Sequence, residues 1–236
     1  MQPKPAASRD PQRRSYMKAA RKPKPLSIPL DTPPAVAAQL RLLQQAFADV
    51  CNAIAPVVRE TRCWNRVTLH HLLYRSLRER FPQLGSQMIC NAIYSVSRTC
   101  RTVFQTPASP FNISRLGDRP LPLMRFAPIA PVYFDKHTLS IRDGIVSMLT
   151  LNGRIRFRLS ISEADEQRFR QERLREIVLL SHGGQFVLRF LFAADEEEAP
   201  PVPAARQQTA IAELPEYVAL SDEDAADQVT ELGEVA

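Results

Sequence analysis

The hydrophobic period of this chain changes once, at about Phe104, and the change dictates two kinds of architecture in one sequence. Before it, Val36, Leu40, Leu43, Phe47, Val50, Cys51 and Ile54 recur at three- and four-residue steps, which gathers them on one face of a helix. Thr32-Pro33-Pro34 supplies its start, where a missing amide donor costs little, and Pro56 is expected to bend or end it. A second helix, from about Thr68 to Arg80, is expected to turn Leu69, Leu72, Leu73, Leu77 and, at its end, Phe81 inward, with Pro82 as its stop. A third opens after Gly85 and buries Met88, Ile89, Ala92, Ile93, Val96 and Cys100. Three helices with short joins predict a small bundle.

After Phe104 the pattern becomes that of strands. Pro107, Pro110, Pro120 and Pro122 break a connecting loop. Val132 to Phe134, Thr138 to Arg142, Ile145 to Leu151, Arg154 to Ile161, Leu174 to Leu180 and Gln185 to Phe192 then read as strands. Asn152-Gly153 favours a two-residue type I′ hairpin turn, and Ser181-His-Gly-Gly184 joins the last pair. Before the helices, Leu26 to Leu30 reads as a strand that Pro29 confines to an edge or an end. The predicted fold class is α+β: a small antiparallel β-barrel with an inserted three-helix bundle and disordered termini. Its divisions are a basic arm over 1–24, a first barrel strand over 25–30, a helical lobe over 31–104, the rest of the barrel over 105–192, and an acidic tail over 193–236. A short helical stretch near Ser221 to Leu232 is compatible with the tail.

Charge is distributed unevenly. The formal net charge of +6 conceals a tail from Ala193 onward with one base, Arg206, and twelve acids, against thirty bases and thirteen acids before it. A body with that excess of bases attracts polyanions by counterion release, and nucleic acid is the expected partner. The prolines at 3, 5, 11, 23 and 25 prevent the basic arm from forming the long amphipathic helix of a membrane-surface binder. No run of about 18 apolar residues occurs, so an intracellular, cytoplasmic protein without membrane contact is expected. Cys51, Cys63, Cys90 and Cys100 form no C-x-x-C pair and read as reduced thiols in or near the core.

The order Leu26-Ser-Ile-Pro-Leu30, Cys51-Asn-Ala-Ile-Ala55, Tyr74-Arg75 to Phe81-Pro82 with Gln87 soon after, Val132-Tyr-Phe-Asp135, Leu151-Asn-Gly-Arg154 and Gly184-Gln-Phe-Val-Leu188 resembles the amino-terminal half of TnpB-type, OrfB-like transposon proteins, relatives of type V CRISPR effectors. The resemblance covers Leu26 to Phe192. It implies a wedge-like barrel split by a helical recognition lobe. It also implies a structured guide-like RNA as partner, with target DNA and a separate nuclease or effector subunit beyond it. The family's RuvC-like carboxylates have no counterpart here; Asp195 to Glu198 are consecutive acids in a proline-rich segment and cannot converge on a metal from separate elements. The expectation is therefore a nuclease-lacking RNA-binding protein, not an enzyme, without cofactor or metal, that serves as a subunit or split part of an RNA-guided DNA-binding complex of a transposon or CRISPR-like system. A protein-interaction adaptor in a mobile-element or defence complex, or an inactive transposon-derived fragment, is the alternative.

The candidate nucleic-acid contacts are Arg75, Arg78, Arg98 and Arg101 on the helices and Arg154, Arg156 and Arg158 on the hairpin strand. The last three occupy alternate positions, so one face of that strand is positive while Ile155, Phe157, Leu159 and Ile161 pack on the other. Tyr74, Tyr94 and Trp64 are either base-stacking platforms or the finish of a helical core. His70 and His71 are adjacent on a helix, about 100° apart around its axis, and do not readily share a metal. With His137 and His182 in turns, all four histidines read as surface or capping groups.

Overall fold

The computed structural model describes residues 25–193 and 214–221, so the basic arm, most of the acidic tail and the helical stretch considered after Ser221 lie outside the described residues. The fold is mixed α+β with antiparallel sheets. Strand β1 (Leu26–Pro29) leads into three helices, α1 (Pro34–Thr61), α2 (Arg66–Arg80) and α3 (Ser86–Cys100). A π-helical turn at Arg101–Gln105 and a single-turn helix α4 (Ile113–Leu116) follow. Then come β2 (Leu123–Phe126), β3 (Val132–Phe134), β4 (Leu139–Arg142), β5 (Ile145–Thr150), β6 (Gly153–Arg158), α5 (Glu163–Gln171), β7 (Leu174–His182), β8 (Gln185–Phe192) and β9 (Val218–Ser221).

The helices are an insertion in the strand order. β1 pairs antiparallel with β8, Leu26 opposite Phe190 and Pro29 opposite Val187, at the edge of a sheet ordered β1-β8-β7-β3. An edge place suits Pro29, which has no amide to donate. The predicted closed barrel is not found among the described residues. The strands divide instead into this four-stranded sheet, a three-stranded sheet β4-β5-β6 and a pair β2-β9. The separation begins at Asp135, where β3 ends: its Oδ1 accepts from His137 N at 3.1 Å and Thr138 N at 3.0 Å. The Asx-type turn that results carries β4 into the second sheet instead of back along β3.

Helix α1 runs unbroken through Pro56, contrary to expectation. Proline in a helix interior costs about 3 kcal/mol, but Ile54, Ala55 and Val58 on either side of it are buried, and packing carries the helix on to Thr61. Asn65 caps α2 by accepting from Val67 N and Thr68 N. The inward face of α2 is narrower than the periodicity suggests, since only Leu69 and Leu77 are fully buried and Leu72 is 56% exposed. Helix α3 contacts α1, α2 and β3. Accordingly its polar Asn91, Ser95, Ser97 and Thr99 are buried along with its apolar residues.

Three amide side chains tie the helices to the backbone of β2, β3 and the loop between them. Gln44 donates to Ala130 O at 3.4 Å, and Asn91 to Tyr133 O at 2.9 Å. Asn52 serves Phe126 in both directions, accepting from its N at 2.7 Å and donating to its O at 3.0 Å. On its other edge β2 pairs with β9, Phe126 opposite Val218. Leu214–Ser221 is thus folded, correcting the expectation of a wholly disordered tail: Val218 is buried, and Ala127 N donates to Tyr217 O at 2.9 Å.

Candidate nucleic-acid interface

Two tight turns set the register of the three-stranded sheet. Asp143 and Gly144 join β4 to β5 with φ of 51° and 71°, the pair of positive angles a type I′ turn requires. The expected type I′ turn at Asn152-Gly153 is replaced. Leu151 and Asn152 make the turn, and Gly153, with φ of 97°, is the only residue of the three at positive φ. A glycine in that position is the bulge that closes a three-residue hairpin loop.

Residues directly opposite in an antiparallel pair share a face. Arg154 lies opposite Leu149, Arg156 opposite Ser147 and Arg158 opposite Ile145, and Arg142 of β4 is also opposite Ile145. The outer face of the sheet therefore carries Arg142, Arg154, Arg156 and Arg158 among Ser140, Ile145, Ser147 and Leu149, with no carboxylate. The other face holds the buried Leu139, Val146 and Met148, with Ile155 and Phe157 packed against the core. Arg154 is laid across β5, its Nη1 donating to Ser147 O and Oγ, each at 3.0 Å, and its Nη2 to His137 O. Arg142, Arg156 and Arg158 make no hydrogen bond or ion pair among the described residues. Arg142 lies outside the alternating arginine run of β6, yet its place immediately before Asp143-Gly144 puts it on the same face.

The helical arginines are placed otherwise. Arg75 pairs with Glu79 at 3.2 Å on the exposed side of α2. Arg78 donates to Leu84 O in the turn between α2 and α3. That turn borders the arginine face, because Leu149 Cδ2 would stand 3.4 Å from a Cβ placed on Gly85. Arg101 donates to Ser97 Oγ at 3.4 Å. Arg98 is half-buried and tied to the sheet: its Nη1 lies 2.7 Å from both carboxylate oxygens of Glu176 on β7 and 3.1 Å from Tyr94 Oη. Burial pulls the pKa of this guanidinium down, but Tyr133, the Tyr94 hydroxyl and Glu176 more than reverse the effect, so it is raised and the charge is secure.

Of the aromatic candidates, Trp64 is buried and packs on Phe104 with ring centroids 5.5 Å apart, which makes it core. Tyr94 is half-buried and edge-on to Tyr133, and Tyr74 stacks on His70 at 4.7 Å. All four cysteines are free; Cys51 and Cys100 are buried, and burial pushes both thiols up. Among the described residues no three His, Cys, Asp or Glu side chains group to hold a metal ion, and Asp195 to Glu198 lie outside those residues. No described helix is long and apolar enough to cross a membrane.

No protein-family model matches the sequence, and no curated protein matches it at a significant level of similarity.

Proposed function

We propose that this protein binds structured RNA and forms the RNA-holding part of an RNA-guided DNA-binding assembly. The observation that carries the reading is the outer face of β4-β5-β6, where four arginines stand without a carboxylate and three of them have no partner among the described residues. Guanidiniums on alternate positions of one strand repel one another, and a row of phosphates relieves that repulsion while releasing counterions. Leu149 against Gly85 brings the α2–α3 turn, with Arg78, alongside the Arg154 end of the face, so one strand of a duplex has a basic track longer than the hairpin. The guided-assembly element of the proposal rests on the resemblance to the TnpB-type amino-terminal half. The pairing of β1 with β8 around three inserted helices supports it, with three open sheets standing in the place of a closed wedge barrel.

RNA that copurifies with the full chain tests the reading. Extraction and sequencing are expected to return one or a few structured species enriched over total cellular RNA. A population matching total RNA, with salt-sensitive binding to an acidic protein instead, would move the function to the adaptor reading.

A further inference from the structure

A polar cleft of about 490 Å³ opens where the start of α2 and one side of α3 meet β3 and the beginning of β7. Its charged walls are Arg66, Arg98, Arg175, Asp135 and Glu176. Three of these already have partners. Arg98 and Glu176 neutralise each other at 2.7 Å. Asp135 turns its carboxylate back onto its own loop, where Oδ1 accepts from His137 N, Thr138 N and Thr138 Oγ1 at 2.9 to 3.1 Å. Arg66 and Arg175 remain. Neither makes a hydrogen bond or an ion pair among the described residues, and Arg66 only rests over the Tyr94 ring, 5.7 Å from its centroid.

Arg175 reaches this cleft by an irregularity of its strand. Leu174 is opposite Phe192, yet Glu176 is opposite Leu191, which leaves Arg175 as the extra residue of a β-bulge. In a regular strand Arg175 and Glu176 would point to opposite faces; with the bulge both line the same cleft. Two arginines without a partner among the described residues thus line one cleft, each with five N–H donors.

We propose that this cleft binds the phosphomonoester of a nucleotide between Arg66 and Arg175, either as a free nucleoside monophosphate or as the phosphorylated end of a nucleic-acid strand. A phosphomonoester carries about −1.5 to −2 charges and three acceptor oxygens, enough to engage both guanidiniums. An internal phosphodiester offers one charge. The cleft also falls within the ~300–1,000 Å³ range of small-ligand sites, with room for a sugar and base beyond the phosphate. Arg98 and Glu176 also line the cleft, and their pairing leaves the phosphate to the other two arginines. This inference does not depend on the arginine face of β6.

Calorimetric titration of the full chain with adenosine 5′-monophosphate and with adenosine tests it. Saturable binding is expected for the monophosphate and none for the nucleoside. Arg66→Gln and Arg175→Gln should each weaken the monophosphate by about tenfold or more, as loss of charged hydrogen bonds does. Both side chains are exposed, so thermal unfolding should stay at the parent value. Combined replacement of Arg154, Arg156 and Arg158 by Gln should leave this binding unchanged, which separates failure here from failure of the RNA-binding reading. A matched RNA pair identifies the source: tighter binding of the 5′-phosphorylated strand than of its 5′-hydroxyl form assigns the cleft to a strand end, and equal binding of the two assigns it to the free nucleotide. Equal affinity for monophosphate and nucleoside, or unchanged monophosphate affinity in both single variants, would overturn the proposal.

Discussion

Arg98 and Arg156 have the same side chain and opposite situations. Arg98 sits where α3 crosses the four-stranded sheet, half-buried, gripped by Glu176 and hydrogen-bonded to Tyr94. Arg156 stands on the outer face of the three-stranded sheet, opposite a serine, with no partner among the described residues. In the packed region a charge is accepted because another element supplies its complement. On the open sheet no complement is supplied, and the charge is available to something outside the fold. Positive charge therefore divides into a part that joins elements and a part that faces solvent, and the two should respond differently to substitution.

The largest contrast is expected at alkaline pH. Cys51, Cys100 and Tyr133 belong to the packed region, and burial pushes all three above their ordinary values of 9.0, 9.0 and 10.0. The unfolded chain releases these protons first, so their contribution is fully present below about pH 9 and is lost as pH rises toward the folded values. Urea unfolding should show stability falling above pH 9, with a slope approaching about 1.4 kcal/mol per pH unit for each group. Arg156→Gln should keep that slope. A flat profile from pH 8 to 11 would contradict the packing assigned to these groups.

Next in size is Asn52→Ala, which strips Phe126 of a partner at both its N and its O. A loss of about 2–3 kcal/mol is expected, because buried backbone groups left unpaired are costly. Equilibrium unfolding measures it, and a change under about 0.5 kcal/mol would mean that β2 is held by β9 alone. Glu176→Gln should cost less, about 1–2 kcal/mol, since Arg98 is 43% exposed and water replaces part of what Glu176 provides. Affinity for a 5′-hydroxyl RNA should be unaffected by it. The smallest effect belongs to the open face: Arg156→Gln and Arg158→Gln should each stay within about 0.5 kcal/mol of the parent in stability.

The same division explains what is legible in the sequence. Alternation in Arg154 to Ile161 and three- and four-residue steps in α1 and α3 depend on burial of one face, so they are visible residue by residue. Strands β2 and β9 are not. Leu123–Phe126 is four residues long and follows two prolines, while Val218–Ser221 sits in an acidic, proline-containing tail; each is a strand because the other pairs with it. Pro56 misleads for a related reason, since continuation of α1 is decided by what Ile54 and Val58 pack against. Arg142 joins the arginine face once Asp143-Gly144, and not Asn152-Gly153, is given the type I′ turn. That Arg98 is committed to Glu176 depends on a pairing across 78 residues, which no local pattern announces.

Salt dependence of RNA binding tests the central claim most directly. Fluorescence anisotropy of a structured RNA across a salt series should give the parent protein a steep log–log slope. Replacing Arg154, Arg156 and Arg158 together by Gln should weaken affinity and reduce the slope by roughly 0.7 to 0.9 for each phosphate no longer neutralised, with unfolding unchanged. An unaltered affinity and slope in that triple variant would contradict the assignment of the nucleic-acid interface to β4-β5-β6.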